Sequence, residues 1–363
     1  MQCSRTEGSG LLFRTIRRIL LICFFGLLTF ILHLLGRYAP DLVFLVYPAI
    51  SQNILRLVGG FFSVFPIAMW ELLALAAFLW LIYSLIRDVS NFQIIRWLTG
   101  VILVLTIGVF AMTLLWGLNN YNLPIEEKLN LSGEEYSLSQ LKKATIYYRD
   151  KANETEKKVQ REENGSLAYD SFRGLAQDAS DGYTLLSVKY DCFRGPIFRP
   201  KRLVFSGIFG IEGVFVPFTG ESGVSTHTYS TCIPFVMCRE MAYGCGFSHR
   251  GEADFAAFLA CTASDSPELT YSGYFNAFSL CYNALYAKDP KAAREVWNGV
   301  SQGVRQDCAG RLEQETKAWT RIMNKLQDEV RDAYAETFPY EEEGSDRYSA
   351  ADLLTMWYME EIL

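Results

Sequence analysis

Three long apolar runs occupy the first third of the chain, at about 19–35, 67–86 and 98–115. A helix needs ~17–25 predominantly apolar residues to cross ~30 Å of hydrocarbon, so each run predicts a membrane-spanning helix. The first holds His33 and no Asp, Glu, Lys or Arg, the second holds Glu71 in its first turn as its only charge, and the third carries no charge. Trp97 and Trp116 bracket the third run, where indole rings anchor at the headgroup level. Residues 42–65 are also apolar, but Pro48, Gln52, Asn53 and Arg56 interrupt them. We read an interfacial or partly re-entrant helix there, since a fourth span would invert the topology. A cleavable signal peptide competes for the first run. The run's length, and the lack of an A-x-A-like site in Gly36-Arg37-Tyr38-Ala39-Pro40, favour an uncleaved anchor.

Beyond Trp116 the pattern changes. Residues 138–161 and 168–178 carry apolar positions at helical spacing, and 180–190 is ambiguous. Residues 202–218 are β-branched, aromatic and punctuated by glycine, which predicts one or two strands with Pro217 at an edge. Residues 219–229 read as a polar loop. Helices are predicted at about 232–246, 252–264, 268–287, 291–300, 305–336 and 347–362. Pro267 and the Asp289-Pro290 pair supply start signals, and the acidic stretch 341–346 reads as a solvated loop. The fold class is therefore α+β and predominantly helical: a membrane portion over 1–118, and over 119–363 a domain with a small β-sheet.

Charge sets the orientation and removes one class of function. Residues 1–118 hold eight Arg, no Lys and four acids, which leaves 26 basic and 36 acidic residues in 119–363. An acidic domain lacks the footprint that neutralises phosphates, so no nucleic-acid partner is expected. Arg5, Arg14, Arg17 and Arg18 precede the first span and place the N-terminus in the cytoplasm. With three spans, the large domain is then extracytoplasmic and the protein is multi-pass in the plasma membrane. Glu71, at a span's first turn, complements the helix dipole and faces headgroups; its alternative is a proton or substrate site.

Nine cysteines form no C-x-x-C pair, so neither a zinc knuckle nor a thioredoxin-type site is indicated. Most lie in apolar helical surroundings and read as small core residues, with one disulfide open to an oxidising compartment. The aromatic series Tyr271, Tyr274, Phe275, Phe278 and Tyr282 reads as core before it reads as a ligand platform.

The chemistry, if any, lies in 238–260. Cys238-Arg239-Glu240-Met241-Ala242-Tyr243-Gly244-Cys245-Gly246-Phe247 is followed by Glu252-Ala253-Asp254-Phe255. An apolar helix, a Gly-Phe stop, a short polar turn and a helix opening at Glu is the order of a zincin core. The motif there is H-E-x-x-H: two His at i and i+4 reach one metal from one helical face, and the intervening Glu is the general base. Here Arg239 and Tyr243 stand at the histidine positions, Glu240 at the general-base position, and Glu252 at the third-ligand position.

The three-span N-terminus, Phe215-Val216-Pro217-Phe218-Thr219-Gly220-Glu221, the 239–247 helix, Glu252-Ala253-Asp254-Phe255, Tyr271-Ser272-Gly273-Tyr274-Phe275-Asn276-Ala277 and the closing 346–354 together extend the likeness. The chain resembles an uncharacterised, domain-of-unknown-function family of bacterial three-pass membrane proteins whose members carry H-E-x-x-H followed by E-A-N-F. The resemblance implies a membrane-anchored, zincin-like metallopeptidase domain outside the cell, with Glu221 beside the edge strand that borders the cleft.

Arginine cannot ligate zinc, since its guanidinium is permanently protonated and offers no lone pair. We therefore expect no cofactor, and a guanidinium that replaces the cation by pairing with Glu252 and Glu240. The expected role is a catalytically impaired module that binds an extracytoplasmic peptide or protein. Its alternatives are an active zinc peptidase with non-standard ligands, drawn from Cys238, Cys245 and His249, and a structural membrane protein without ligand. A nucleophilic pairing of Cys238 or Cys245 with His227 or His249 has no motif behind it.

Overall fold

The computed structural model describes residues 2–91, 93–131, 136–205, 207, 210–315 and 348–363, with isolated positions 322, 325, 326 and 329. Four helices open the chain: α1 (Gln2–Tyr38), α2 (Pro40–Ser63), α3 (Met69–Ser90) and α4 (Ile94–Leu115). All four are long and apolar enough to cross a membrane. Outward-facing Leu, Ile, Phe and Val dominate them, including Leu20, Phe30, Phe78 and Leu105, as a helix with hydrocarbon for solvent requires. Helices α1 and α4 pack along each other and α3 packs on α4. On the 87–96 side, Asp88 holds Arg96 at 2.6 Å and Arg87 at 2.9 Å.

Helix α2 covers the run read as interfacial, and it packs both on the apolar helices α1 and α4 and on the large domain. Val43 and Tyr47 pack with Leu118 and Tyr121, and Ser51 Oγ donates to Leu115 O (2.7 Å). Gln52 reaches Cys245 O (3.3 Å) and Arg56 reaches Arg194 O (3.2 Å). Near its end Gly59 meets Gly220, which turns the chain at φ +64°; a Cβ on Gly220 would stand 2.9 Å from Gly59 Cα. Only glycine satisfies both the conformation and the approach.

After a short helix α5 (Ile125–Lys128), the domain continues through α6 (Leu138–Thr155), α7 (Phe172–Lys189), strands β1 (Lys201–Arg202), β2 (Gly213–Val216) and β3 (Glu221–Val224), then α8 (Ile233–Gly244), α9 (Arg250–Ala263), α10 (Pro267–Lys288), α11 (Pro290–Asn298), α12 (Gln302–Glu315) and α13 (Ala350–Glu361). Local chemistry fixes the starts. Ser137 with Gln140 and Ser349 with Asp352 form capping boxes, Ser171 and Asp289 cap α7 and α11, and Pro267 and Pro290 take first-turn positions where no N–H is missed. The ambiguous 180–190 stretch joins 172–179 in one helix. Most of the helix expected over 305–336 beyond Glu315, and the acidic loop at 341–346, lie outside the described residues.

The sheet runs β1-β3-β2, with β1 parallel and β2 antiparallel to β3. Its central strand falls within 219–229, the stretch read as a polar loop. Glu221, Ser222, Gly223 and Val224 are all buried. A polar strand tolerates burial because its side chains find partners: Ser222 Oγ donates to Glu240 O (3.0 Å), and Glu221 is held as described below.

Helix α8 lies against the sheet and packs on α9, α10 and α7. Tyr148, Tyr183, Tyr271, Phe193, Phe247, Phe255, Phe275 and Phe278 are the largest fully buried side chains of the core around it, each worth ~1.5–3 kcal/mol by burial. Tyr271, Phe275 and Phe278 are therefore core, as expected. Cys232, Cys238, Cys245, Cys261 and Cys281 are buried free thiols, and no disulfide forms among the described residues. Burial pushes the Cys232 and Cys245 thiols up to about 12, so they serve as inert packing.

Candidate functional site

Positions 239, 240 and 243 share one side of α8, and the structure brings all three to one cavity of about 270 Å³. Strand β2, through Gly213, Val214 and Phe215, forms a second wall, and Arg250 of α9 closes a third. Met112 and Trp116, at the end of α4, complete the lining. Trp116 Nε1 donates to Tyr243 O (2.8 Å), and the two rings meet edge-on at 6.3 Å. The indole read from sequence as an interfacial anchor thus also ties the last apolar helix to the cleft.

Arg239 is buried, 6 % exposed, and Glu240 beside it is 3 % exposed. Arg239 Nε donates to Glu240 Oε1 at 3.0 Å. Its two terminal nitrogens lie 4.0 Å from Glu212 Oε2 and 4.0 Å from Asp254 Oδ1. Arg250 pairs with the other Asp254 oxygen at 3.3 Å. Two guanidiniums therefore face three carboxylates. Burial works against the charge on Arg239, but Glu240 and Asp254 outweigh it and raise the pKa, so the residue stays protonated. Burial raises the Glu240 carboxyl, and Arg239 limits the rise. Burial and then Glu240 push the Tyr243 phenol up to about 12, which keeps it neutral. Asp254 Oδ1 is buried without a hydrogen-bond donor.

The expected pairing of Arg239 with Glu240 forms; the one with Glu252 does not. Asp254 takes that place. Residues two apart on a helix point about 200° from each other, so α9 can direct only one of these acids at α8. Glu252, also buried, accepts the Ile125 N–H (3.3 Å) at the start of α5. The residue expected at a third-ligand position thus caps α5.

Glu221 also differs from its expected place at the cleft. Its two oxygens accept the N–H groups of Met69 (3.0 Å) and Trp70 (2.9 Å), and Lys201 Nζ lies 2.6 Å away. It caps α3 from the domain side. Glu71 of α3 reciprocates by accepting the N–H groups of Val204 (2.8 Å) and Phe205 (3.1 Å). These five bonds clamp the large domain to the start of α3, and Glu71 serves that clamp rather than facing headgroups. His227 is exposed in the loop after β3, while His249 precedes α9; neither lines the cavity. Cys238 and Cys245 sit in the core.

Glu212, Asp254 and Arg250 were not singled out from sequence. The signal for Asp254 is the Glu252-Ala253-Asp254-Phe255 motif itself, which offers two acids and does not say which of them faces α8. Among the described residues no three His, Cys, Asp or Glu side chains converge in a manner that could hold a metal ion. Zinc does not fit this set: the residue at its centre is a cation without a lone pair, and Glu252 is turned to Ile125.

A family model described as a protein of unknown function (DUF3810) matches residues 45–355, most of the chain and both of its portions. No curated protein matches, and no solved structure does.

Proposed function

The chain belongs to the DUF3810 family, and on that premise we propose that its large domain is a degenerate metallopeptidase-like module, catalytically impaired, that binds a peptide segment at the membrane surface. The observation that carries this reading is the buried Arg239 paired with Glu240 and flanked by Glu212 and Asp254. A fixed positive charge sits where the resemblance places a cation, so carboxylate neutralisation is kept and Lewis-acid activation of water is lost. The cavity keeps the means to hold a chain. Strand β2 is the edge of its sheet, which offers main-chain pairing to an extended peptide. Asp254 Oδ1 still lacks a donor. Because Met112 and Trp116 line the opening, the segment bound is one lying close to the bilayer.

Three spans fit this placement. Helix α2 touches the domain from Gln52 to Gly59; to cross the bilayer it would draw those contacts into hydrocarbon, so it lies along the interface. The N-terminus is then cytoplasmic and the large domain extracytoplasmic.

Elemental analysis of the full chain, purified without chelator, tests the reading. The wild type should carry no stoichiometric zinc, and the Arg239→His/Tyr243→His double variant should acquire it. Near-stoichiometric zinc in the wild type, lost in Glu252→Ala and accompanied by peptide hydrolysis, would instead make the protein an active peptidase. A photo-crosslinker placed at Val214 in the membrane-embedded protein should capture a peptide. Failure there, with no zinc in either form, would leave a purely structural role.

A further inference from the structure

A second cavity, of about 400 Å³, opens where the turn between α2 and α3 meets the first turn of α7 and the segment leading into β1. Its volume suits a small-molecule ligand. Four cationic side chains line it, Arg173, Arg199, Lys201 and Arg202, and no Asp or Glu does. Lys201 is already neutralised by Glu221 at 2.6 Å. The other three are exposed, and none makes an ion pair or side-chain hydrogen bond with a described residue. Three uncompensated guanidiniums around one concavity are unusual in a domain whose acids outnumber its bases. The N-terminus of the 18-residue helix α7 also borders the cavity through Phe172 and Arg173, adding the positive end of its dipole.

The apolar part of the lining says where the anion comes from. Val64, Phe65 and Pro66 form the α2–α3 turn, and Val64 is 80 % exposed. Phe61 just before them is exposed as well, as are Val204 and Phe205 shortly after Arg202. An exposed apolar tip beside a ring of guanidiniums matches the bilayer surface, where acyl chains and phosphates lie within a few ångströms of each other. A soluble anion would require the charge alone.

We infer that this cavity binds the phosphate of an anionic lipid headgroup, with Arg199 and Arg202 as the principal contacts, Arg173 and the α7 N-terminus behind them, and the Val64–Phe65 tip seated among the acyl chains. The site lies apart from the Arg239 cleft and shares with the proposed function only the membrane placement. It would secure the end of α2 and the start of β1 against the membrane, beside the Glu71–Glu221 clamp.

The test uses the full chain in a neutral detergent. Native mass spectrometry and thermal shift are recorded with short-chain phosphatidylglycerol, short-chain phosphatidylcholine and inorganic phosphate. Phosphatidylglycerol should bind saturably and stabilise, weakening as salt rises, and phosphatidylcholine should do neither. Arg199→Gln/Arg202→Gln should lose on the order of tenfold in affinity for phosphatidylglycerol, with an unchanged melting temperature in its absence, because both side chains are exposed. Equal binding of the two lipids, or an unaltered double variant, overturns the inference. Stabilisation by inorganic phosphate matching that by phosphatidylglycerol overturns the lipid assignment in favour of a soluble anion. Extraction of the protein from membranes by alkaline carbonate would refute the membrane placement itself, an outcome separate from either.

Discussion

Replacing Arg239 with Met keeps most of the apolar stem and removes the charge. The Glu240 carboxyl then remains buried, with Glu212 and Asp254 on the other side of the vacated guanidinium site. Breaking a buried pair by removing one partner costs roughly 3–5 kcal/mol. A domain of this size loses about 2–4 °C in Tm per kcal/mol, which places the drop at about 6–20 °C near pH 8. The pH dependence separates this cause from lost packing. Burial already raises the Glu240 pKa in the folded protein above its ordinary value, and Arg239 pulls it back; without Arg239 it rises further. A carboxyl whose folded pKa exceeds its unfolded one holds more protons when folded, so stability falls as pH rises from about 4.5 through the folded value. The deficit of the variant should therefore be largest at pH 8 and shrink toward pH 5. Adding Glu240→Gln should recover part of it at pH 8. Thermal unfolding of the full chain in detergent, followed by near-ultraviolet circular dichroism, reads both effects. A deficit that is the same from pH 5 to 8 and indifferent to Glu240→Gln would refute the charge-pair account.

Three further outcomes follow from the same geometry. In Glu221→Gln the cap on α3 loses its charge, at a cost of about 2–4 kcal/mol, and protease should cut the 64–68 turn faster; an unchanged digestion rate would show that the clamp does not hold the turn. Gly213→Ala places a Cβ 2.7 Å from Glu240 Cγ and Oε1 and 2.7 Å from Val236, so the Tm should fall by the equivalent of ~1–3 kcal/mol. With thiols raised to about 12, Cys232 and Cys245 should be alkylated on the order of 10³-fold more slowly than an ordinary cysteine near pH 8, and normally once the protein is unfolded.

Much of the architecture is legible because it rests on local signals. Apolar runs locate the helices at 19–35, 67–86 and 98–115, and Pro267 and Asp289-Pro290 locate helix starts to within one residue. The order of α8 and α9 around the Gly-Phe stop is likewise local. Strand β3 escaped because polarity is read as exposure, whereas Glu221 and Ser222 are buried and satisfied by Met69, Trp70, Lys201 and the Glu240 carbonyl, all distant in sequence. The same blindness to distant partners assigned Glu221 to the cleft and Glu71 to the headgroups. The choice between Glu252 and Asp254 depends on the rotation of α9 relative to α8, which spacing within either helix does not fix.

On the proposed reading, the metal site of this frame is lost through two changes of unequal weight. Arg239 and Tyr243 stand at the ligand positions outright, whereas Glu252 is only diverted, accepting the Ile125 N–H at 3.3 Å. A hydrogen bond to a charged group is worth about 1.5–3 kcal/mol, while structural zinc binds with apparent free energies of ~10–16 kcal/mol in small metal-dependent folds. Recruiting Glu252 back to a restored pair of histidines is therefore affordable by a wide margin. Glu212 and Asp254, left without Arg239, would add negative potential that favours a dication. The Arg239→His/Tyr243→His variant should take up zinc and depend on Glu252, losing it in the Glu252→Ala background. Its Tm should rise with added zinc, while that of the wild type stays fixed. Uptake that persists without Glu252 would show that the third position lies elsewhere, with Asp254 the first residue to test. No uptake at all would mean that α8 and α9 have moved apart by more than a side chain can bridge, and that the frame has drifted as well as its ligands.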